Sequence, residues 1–253
     1  MVEGRHFSTS VRPDSPLSRK LAAHGLRAVA VALMLAGATV LAWPYVEAAF
    51  NGAAQRVKIG QFEEDVAALR EDVDRLADLA RAVDEYNAGL DANGQSGLCD
   101  AWSYTEPSFD LGTWGLKDGV YGRLRIPGAS IDMPVYLGAT EQHLLDGAAH
   151  LTQTSLPMRH RDGISTAAVL AGHRGYRANS YFNNIVNLAE GAEVRFDSPW
   201  ETLEYRVAET RVIDPADIDS VKIQPGRDLL ILVTCHPLYK NYQRFVVYCE
   251  MKR

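Results

Sequence analysis

The chain changes texture three times along its length. Ala28 to Val46 is a run of nineteen residues without a charge. At 1.5 Å per residue that makes about 28 Å of helix, enough to cross a hydrocarbon core. Gln55 to Tyr86 contains no proline, and its apolar residues fall at Ile59, Phe62, Val66, Leu69, Val73, Leu76, Ala80 and Val83. Steps alternating between three and four predict a helix with one apolar seam. Such a seam packs on its own domain or mates with a partner helix as a coiled coil. Residues 87–115 are rich in Gly, Asn, Asp and Ser and keep neither helical nor strand period, which reads as a long loop. The texture then becomes β. Short apolar or alternating segments occur at 120–127, 130–138, 166–173, 192–196, 203–213, 229–235 and 243–250, with short helical stretches near 140–148 and 179–188. Seven or more short strands separated by turn signals predict a barrel or sandwich. The 229–235 segment is apolar at successive positions and so should be covered on both faces.

Charge changes this picture at the N-terminus. Residues 1–27 hold Arg5, Arg12, Arg19, Lys20 and Arg27 against Glu3 and Asp14, while the whole chain carries −6 over its 253 residues. The basic flank before Ala28, with Trp43 and Tyr45 at the far end, predicts a membrane anchor with its N-terminus in the cytoplasm and the rest outside. A cleaved signal peptide is the alternative, though its apolar region is usually shorter; both readings export the rest of the chain. The acidic balance argues against a nucleic-acid surface. The expected organisation is a cytoplasmic tail (1–27), a signal-anchor helix (28–49), an amphipathic helical region (50–90), a loop (91–115) and a β-domain (116–253).

Export makes the cysteines informative. Cys99, Cys235 and Cys249 form at most one disulfide and leave one thiol over. Cys235 ends the apolar strand "LLILVTC", where the mouth of a barrel would expose it; alone, it reads equally as a buried, inert residue. Nucleophilic thiol chemistry needs a proton-handling partner and oxyanion donors. Of seven histidines, His6 and His24 lie on the wrong side of the membrane, and His143, His150 and His160 lack a local signature. His236 adjoins the cysteine and so points to the other face. His173 ends the apolar strand "TAAVLAG" and enters a turn. Arg244 follows Cys235 by nine residues, so a hairpin-like return would bring its guanidinium beside the thiol. No metal-ligand spacing or Gly-rich phosphate loop occurs, and no cofactor is expected.

These segments together resemble the sortases. "LVTCHP" followed by Arg244 is similar to their L-x-T-C-x-P and N-x-x-R strand pair, and "VLAGHRGY" to the turn carrying their histidine. "YGRLRIPGASIDMPVYLG" resembles their opening strands, and "HLTQTSLP" their G-T-S-L-P run, with Gln153 where glycine is usual. The correspondence spans roughly residues 83–250 and implies a closed eight-stranded sortase-type β-barrel. "EYNAGL" (85–90) and the long loop look like the pilus-assembly, class C members, which carry a lid built on an Asp-Pro-aromatic triplet. The matching place here is Asp100-Ala101-Trp102, without the proline. Ala101 leaves φ free where proline would fix it, which predicts a more mobile lid.

The resemblance implies a cysteine transpeptidase of the Gram-positive surface. Cys235 would attack the Thr–Gly carbonyl of an LPxTG-like motif and His173 would move protons. Arg244 would hold substrate and oxyanion, helped by Thr234 through its backbone or hydroxyl. In the lid, Trp102 would sit over the thiol and Asp100 would pair with Arg244. Partners would be pilins or surface proteins bearing a C-terminal sorting signal, with the membrane reached through residues 28–49. A wall-anchoring transpeptidase, an exported cysteine hydrolase and a non-catalytic scaffold remain alternatives, and the oligomeric state is open.

Overall fold

The structure is a computed structural model that describes residues 16–159, 165–175 and 181–252. His160, the first residues of the basic tail and the start of the helix expected at 179–188 lie outside them. Two compact units divide the chain, Met1–Val46 and Glu47–Arg253. The first is helical from Pro16, and Leu33, Met34, Leu41, Trp43 and Tyr45 are exposed along it. From His24 this helix is long and apolar enough to cross a membrane.

Helix α1 (Pro16–Glu71) ends where the predicted seam should have continued. Asp72 caps the next helix, α2 (Val73–Asn93), by accepting a hydrogen bond from the Arg75 backbone N–H. That break turns the seam. Ile59, Phe62, Val66 and Leu69 are buried, Val73 is 71% exposed, and α2 buries Leu79, Asn87 and Leu90 together with the seam's Val83. Both stretches pack within Glu47–Arg253, Phe62, Val66, Leu69, Leu79 and Val83 joining its main core. The loop expected from residue 87 therefore begins seven residues later, at Gly94, whose left-handed conformation (φ 62°) closes α2.

Eight strands form a closed barrel in the order β1-β2-β3-β4-β7-β8-β6-β5. They are β1 (Val120–Ile126), β2 (Ile131–Leu137), β3 (Ala148–His150), β4 (Thr166–Ala171), β5 (Glu193–Asp197), β6 (Thr202–Ile213), β7 (Asp228–His236) and β8 (Gln243–Met251). Strand β3 is the one that hydropathy missed, because three residues carry no period. A short helix α3 (Glu141–Asp146), capped by Thr140, precedes it. The helix expected at 179–188 is, in its described part, one 3₁₀ turn at Ile185–Asn187.

Alternation sorts each strand into two faces. Leu124, Met133, Ala148, Leu170, Val194, Tyr205, Leu232 and Val247, one from each strand, share the interior core. On β4, β7 and β8 the intervening residues Ala167, Val169, Ala171, Leu229, Ile231, Val233, Val246 and Tyr248 are buried too, in a second cluster. That outer face is covered by Leu98, Ala101, Leu144 and Val221, so this wall of the barrel is apolar on both sides.

Candidate active site

The outer face of β4, β7 and β8 carries the site. β4 and β7 run parallel with Ala171 opposite Val233, and Gly172 extends the pairing by donating to the Val233 carbonyl at 3.1 Å. Two residues further, the same alternation sets His173 and Cys235 on that face. β8 returns antiparallel with Arg244 as the register partner of Cys235. Cys235 and Arg244 thus lie side by side on paired strands, and His173, two residues past the end of β4, continues the row on the same face. Cys235 is the penultimate residue of β7, at the strand's end as expected, and its side chain is half-buried on the outer wall.

Arg244 is the most constrained of the three, with 7% of its side chain exposed. Its Nη1 donates to the carbonyls of Asn241 at 2.7 Å and Gln243 at 3.1 Å, and lies 3.9 Å from Cys235 Sγ. Nε and Nη2 donate to the two oxygens of Asp100, each at 2.8 Å, a bidentate pair. Asp100 also starts the 3₁₀ turn Ala101–Ser103, accepting from the Trp102 backbone N–H at 3.2 Å. The Trp102 ring sits 4.6 Å from the Arg244 guanidinium and 6.1 Å from the His173 ring. So the expected ion pair of the lid is present, and the tryptophan expected above the thiol lies on its two neighbours. Ala101 is 2% exposed, packed into the outer-face cluster. Beneath the lid a cavity of about 20 Å³ remains, lined among others by Cys99, Asp100, Val169, Val233 and Arg244. A larger hollow of about 630 Å³ beside Phe109, Lys117 and His143 contains none of these residues.

Thr234 faces the other way. It is fully buried, and its hydroxyl donates to the Gly172 carbonyl at 2.7 Å. The hydroxyl is committed to holding β7 against the end of β4, so of the two routes expected for Thr234 the backbone one is left. The three cysteines are unbridged, and Cys249 is buried inside the barrel.

Burial sets the resting protonation. It pushes the Cys235 thiol up, against the pull of Arg244 and with the help of Asp100. It pushes His173 down, against the attraction of Glu141 in the first turn of α3. Both shifts favour a neutral thiol beside a neutral imidazole under the Ala101–Ser103 turn. Burial also opposes the charge on Arg244, but Asp100 outweighs it and keeps the guanidinium charged.

Several supporting residues were invisible in the sequence. Tyr181 packs edge-on to His173 at 6.1 Å and donates its hydroxyl to the Leu145 carbonyl of α3. Asn87 exchanges two hydrogen bonds with the Leu156 backbone, and the Tyr86 hydroxyl accepts from the Gln153 N–H at 3.0 Å. Gln95 donates to the Gln153 carbonyl at 2.9 Å. This explains the unusual Gln153. Its φ is 70°, a left-handed conformation suited to glycine, and α2 with the segment after it holds its backbone from both sides.

Comparison with known proteins agrees with this geometry. The model of the Sortase domain family matches residues 124–252, about half the chain. The chain belongs to the sortase family. Sortase A of Bacillus anthracis is 30% identical over 131 residues, 52% of this chain and 59% of that protein. Sortase A of Staphylococcus aureus is 31% identical over 121 residues, 47% of this chain and 56% of that protein. This sortase thus spans roughly three fifths of the length of such curated relatives. Among solved structures, a crystal form of Streptococcus agalactiae sortase C1 superposes with a TM-score of 0.67 at 29% identity, covering 77% of this chain and 97% of that one. Sortase C of Streptococcus pneumoniae gives 0.64 at 25% identity, covering 76% and 96%. The sortase barrel and its likeness to class C structures are therefore established for this chain.

Proposed function

We propose that this sortase is a membrane-tethered cysteine transpeptidase that cleaves an LPxTG-like sorting signal between Thr and Gly and passes the acyl group to a pilin lysine. The observation that carries the reading is the row His173–Cys235–Arg244 on one barrel face, closed by Asp100 and Trp102. The similar S. agalactiae sortase C1, 29% identical with a TM-score of 0.66, is described as an enzyme of a pilus island, which favours a pilin substrate here. The uncharged helix after a basic tail supports a cytoplasmic N-terminus and an extracellular barrel.

Catalysis begins when the lid leaves and the sorting signal takes its place. Asp100 releases both guanidinium N–H groups of Arg244, which then face the substrate backbone and the developing oxyanion. The thiol, relieved of the Asp100 charge, passes its proton to the neutral His173 imidazole. Cys235 Sγ bonds to the threonine carbonyl carbon, and the C–N bond to glycine breaks as His173 gives its proton to the leaving amine. The resulting thioester is attacked by an acceptor amine, whose proton returns to His173 as the thiol leaves.

Mass spectrometry of the chain incubated with a Leu-Pro-x-Thr-Gly peptide should show a thioester adduct on Cys235. Adding a lysine-containing acceptor should then replace the adduct with an isopeptide-linked product. Transfer only to a wall-precursor amine would make it a wall-anchoring enzyme, hydrolysis alone would make it a hydrolase, and no adduct would defeat the reading.

A further inference from the structure

Each member of the catalytic row has a chain neighbour that points to the opposite side of the wall, and these neighbours meet. Arg174 follows His173, His236 follows Cys235, and Phe245 follows Arg244. Arg174 Nη1 lies 3.1 Å from His236 Nδ1. The His236 ring lies 6.0 Å from that of Phe245, tilted by 36°. A guanidinium has only donors, so His236 Nδ1 must be the acceptor and its proton sits on Nε2. Arg174 Nε is buried without a hydrogen-bond partner, so the guanidinium is held by its Nη1 contact to His236. A histidine next to the nucleophile thus presents a lone pair to an arginine next to the catalytic histidine.

We infer that Arg174 and His236 are a positioning pair that fixes the turn carrying His173 against the strand end carrying Cys235. The need for such a tie is visible in the backbone. β4 ends at Ala171, and the last backbone bond from it to β7 is that of Gly172, one residue before His173. On the β7 side the partner sits at the strand's final residue, His236. The Arg174–His236 bond is a cross-strand clamp beyond the end of the ladder, where loss of about 1 Å of precision is costly to proton transfer. Neither residue touches substrate in this arrangement; both act through their neighbours.

The inference rests on the transpeptidase reading, and the test separates the two. It is done in the Asp100→Ala/Trp102→Ala background, where lid opening does not limit the rate. Arg174→Met and His236→Leu should each lower the maximal rate of Cys235 acylation by a Leu-Pro-x-Thr-Gly peptide tenfold or more, with KM changed less than twofold. The double variant should be no more than twofold worse than either single one. His236→Asn keeps an acceptor near the Nδ1 position and should retain at least half the rate. Single effects under twofold, multiplying effects, or a His236→Asn enzyme as poor as His236→Leu would each overturn the pair. Melting temperatures identify any variant that fails to fold, and the two His236 variants alone then decide. If no acyl-enzyme forms in the parent, the transpeptidase reading fails. The clamp is then read from the pH profile of Cys235 alkylation, whose midpoint should move by half a unit or more in His236→Leu but not in His236→Asn; an unmoved midpoint in His236→Leu overturns it.

Discussion

Cys235 and Cys249 stand on paired strands of one barrel and share almost nothing else. Cys249 points inward among Tyr205, Val207 and Leu230, fully buried, and its thiol is pushed far above the ordinary range by desolvation alone. Cys235 points outward, half-buried, with Arg244 at 3.9 Å pulling its thiol back down. His150 of β3 and His173, two residues past the end of β4, repeat the contrast. His150 is fully buried inside, held by Ser155 and Thr154, and burial lowers its pKa to about 4. His173 is only partly buried on the outer face, between Trp102 and Tyr181. The same wall thus makes inert groups on one side and adjustable ones on the other. What differs is the cover: the inner face is closed by the rest of the barrel, the outer face by the loop that we propose acts as a lid.

The largest test of this contrast removes the proposed nucleophile. Cys235→Ala should lower acyl-enzyme formation by about a thousandfold or more, whereas Cys249→Ala should leave it within a few-fold. Intact-mass labelling should find Cys249 unreactive until the chain unfolds. His173→Gln should slow acylation roughly a hundredfold, measured by stopped-time mass spectrometry.

The inner histidine should instead report on stability. Its folded pKa of about 4 lies below the ordinary 6.5, so the unfolded chain binds the proton first as pH falls. The stability is complete above pH 6.5 and is lost on acidification towards pH 4, by about 3 kcal/mol. Urea midpoints of the barrel should fall across that window, and His150→Asn should flatten the slope. A wild-type curve that is level between pH 6.5 and 4 would contradict the permanent cover.

Removing the movable cover has a smaller effect. Asp100→Ala with Trp102→Ala should raise Cys235 alkylation near neutral pH about tenfold. The change deletes a nearby negative charge and exposes the thiol, both of which lower its pKa, so the midpoint of the pH–rate profile should move down. The smallest change tightens the lid. Asp100 has φ −61° and ψ 143°, a conformation that suits the residue before a proline, and Ala101 is the first residue of the 3₁₀ turn. Ala101→Pro should stiffen the closed form by about 0.4–1 kcal/mol and slow alkylation two- to fivefold. An accelerated rate would mean that the ring does not fit beneath Leu98 and the lid is being displaced.

Much of the wall could be read in the sequence because period-two alternation is a local property. Apolar residues at every position of 229–233 announced cover on both faces, and the nine-residue offset from Cys235 to Arg244 matches a return of one residue opposite the other. β3 was not legible, since three residues paired on both sides by neighbours need no pattern of their own. The break at Asp72 was also hidden: an aspartate is as compatible with an exposed helix position as with a cap, and only the packing of Leu79 and Val83 chooses.

What the sequence determined alone were the properties carried by neighbours along the chain: an uncharged span, an apolar seam, strand faces and which residues share them. What only the tertiary structure decided were the meetings of distant segments. Asp100 finds Arg244 across 144 residues, Trp102 lies on that guanidinium and against His173, and Tyr86 and Asn87 grip the loop at Gln153. Side-chain parity is dictated within a strand, but closure of the barrel chooses which parity faces solvent and which loop will cover it.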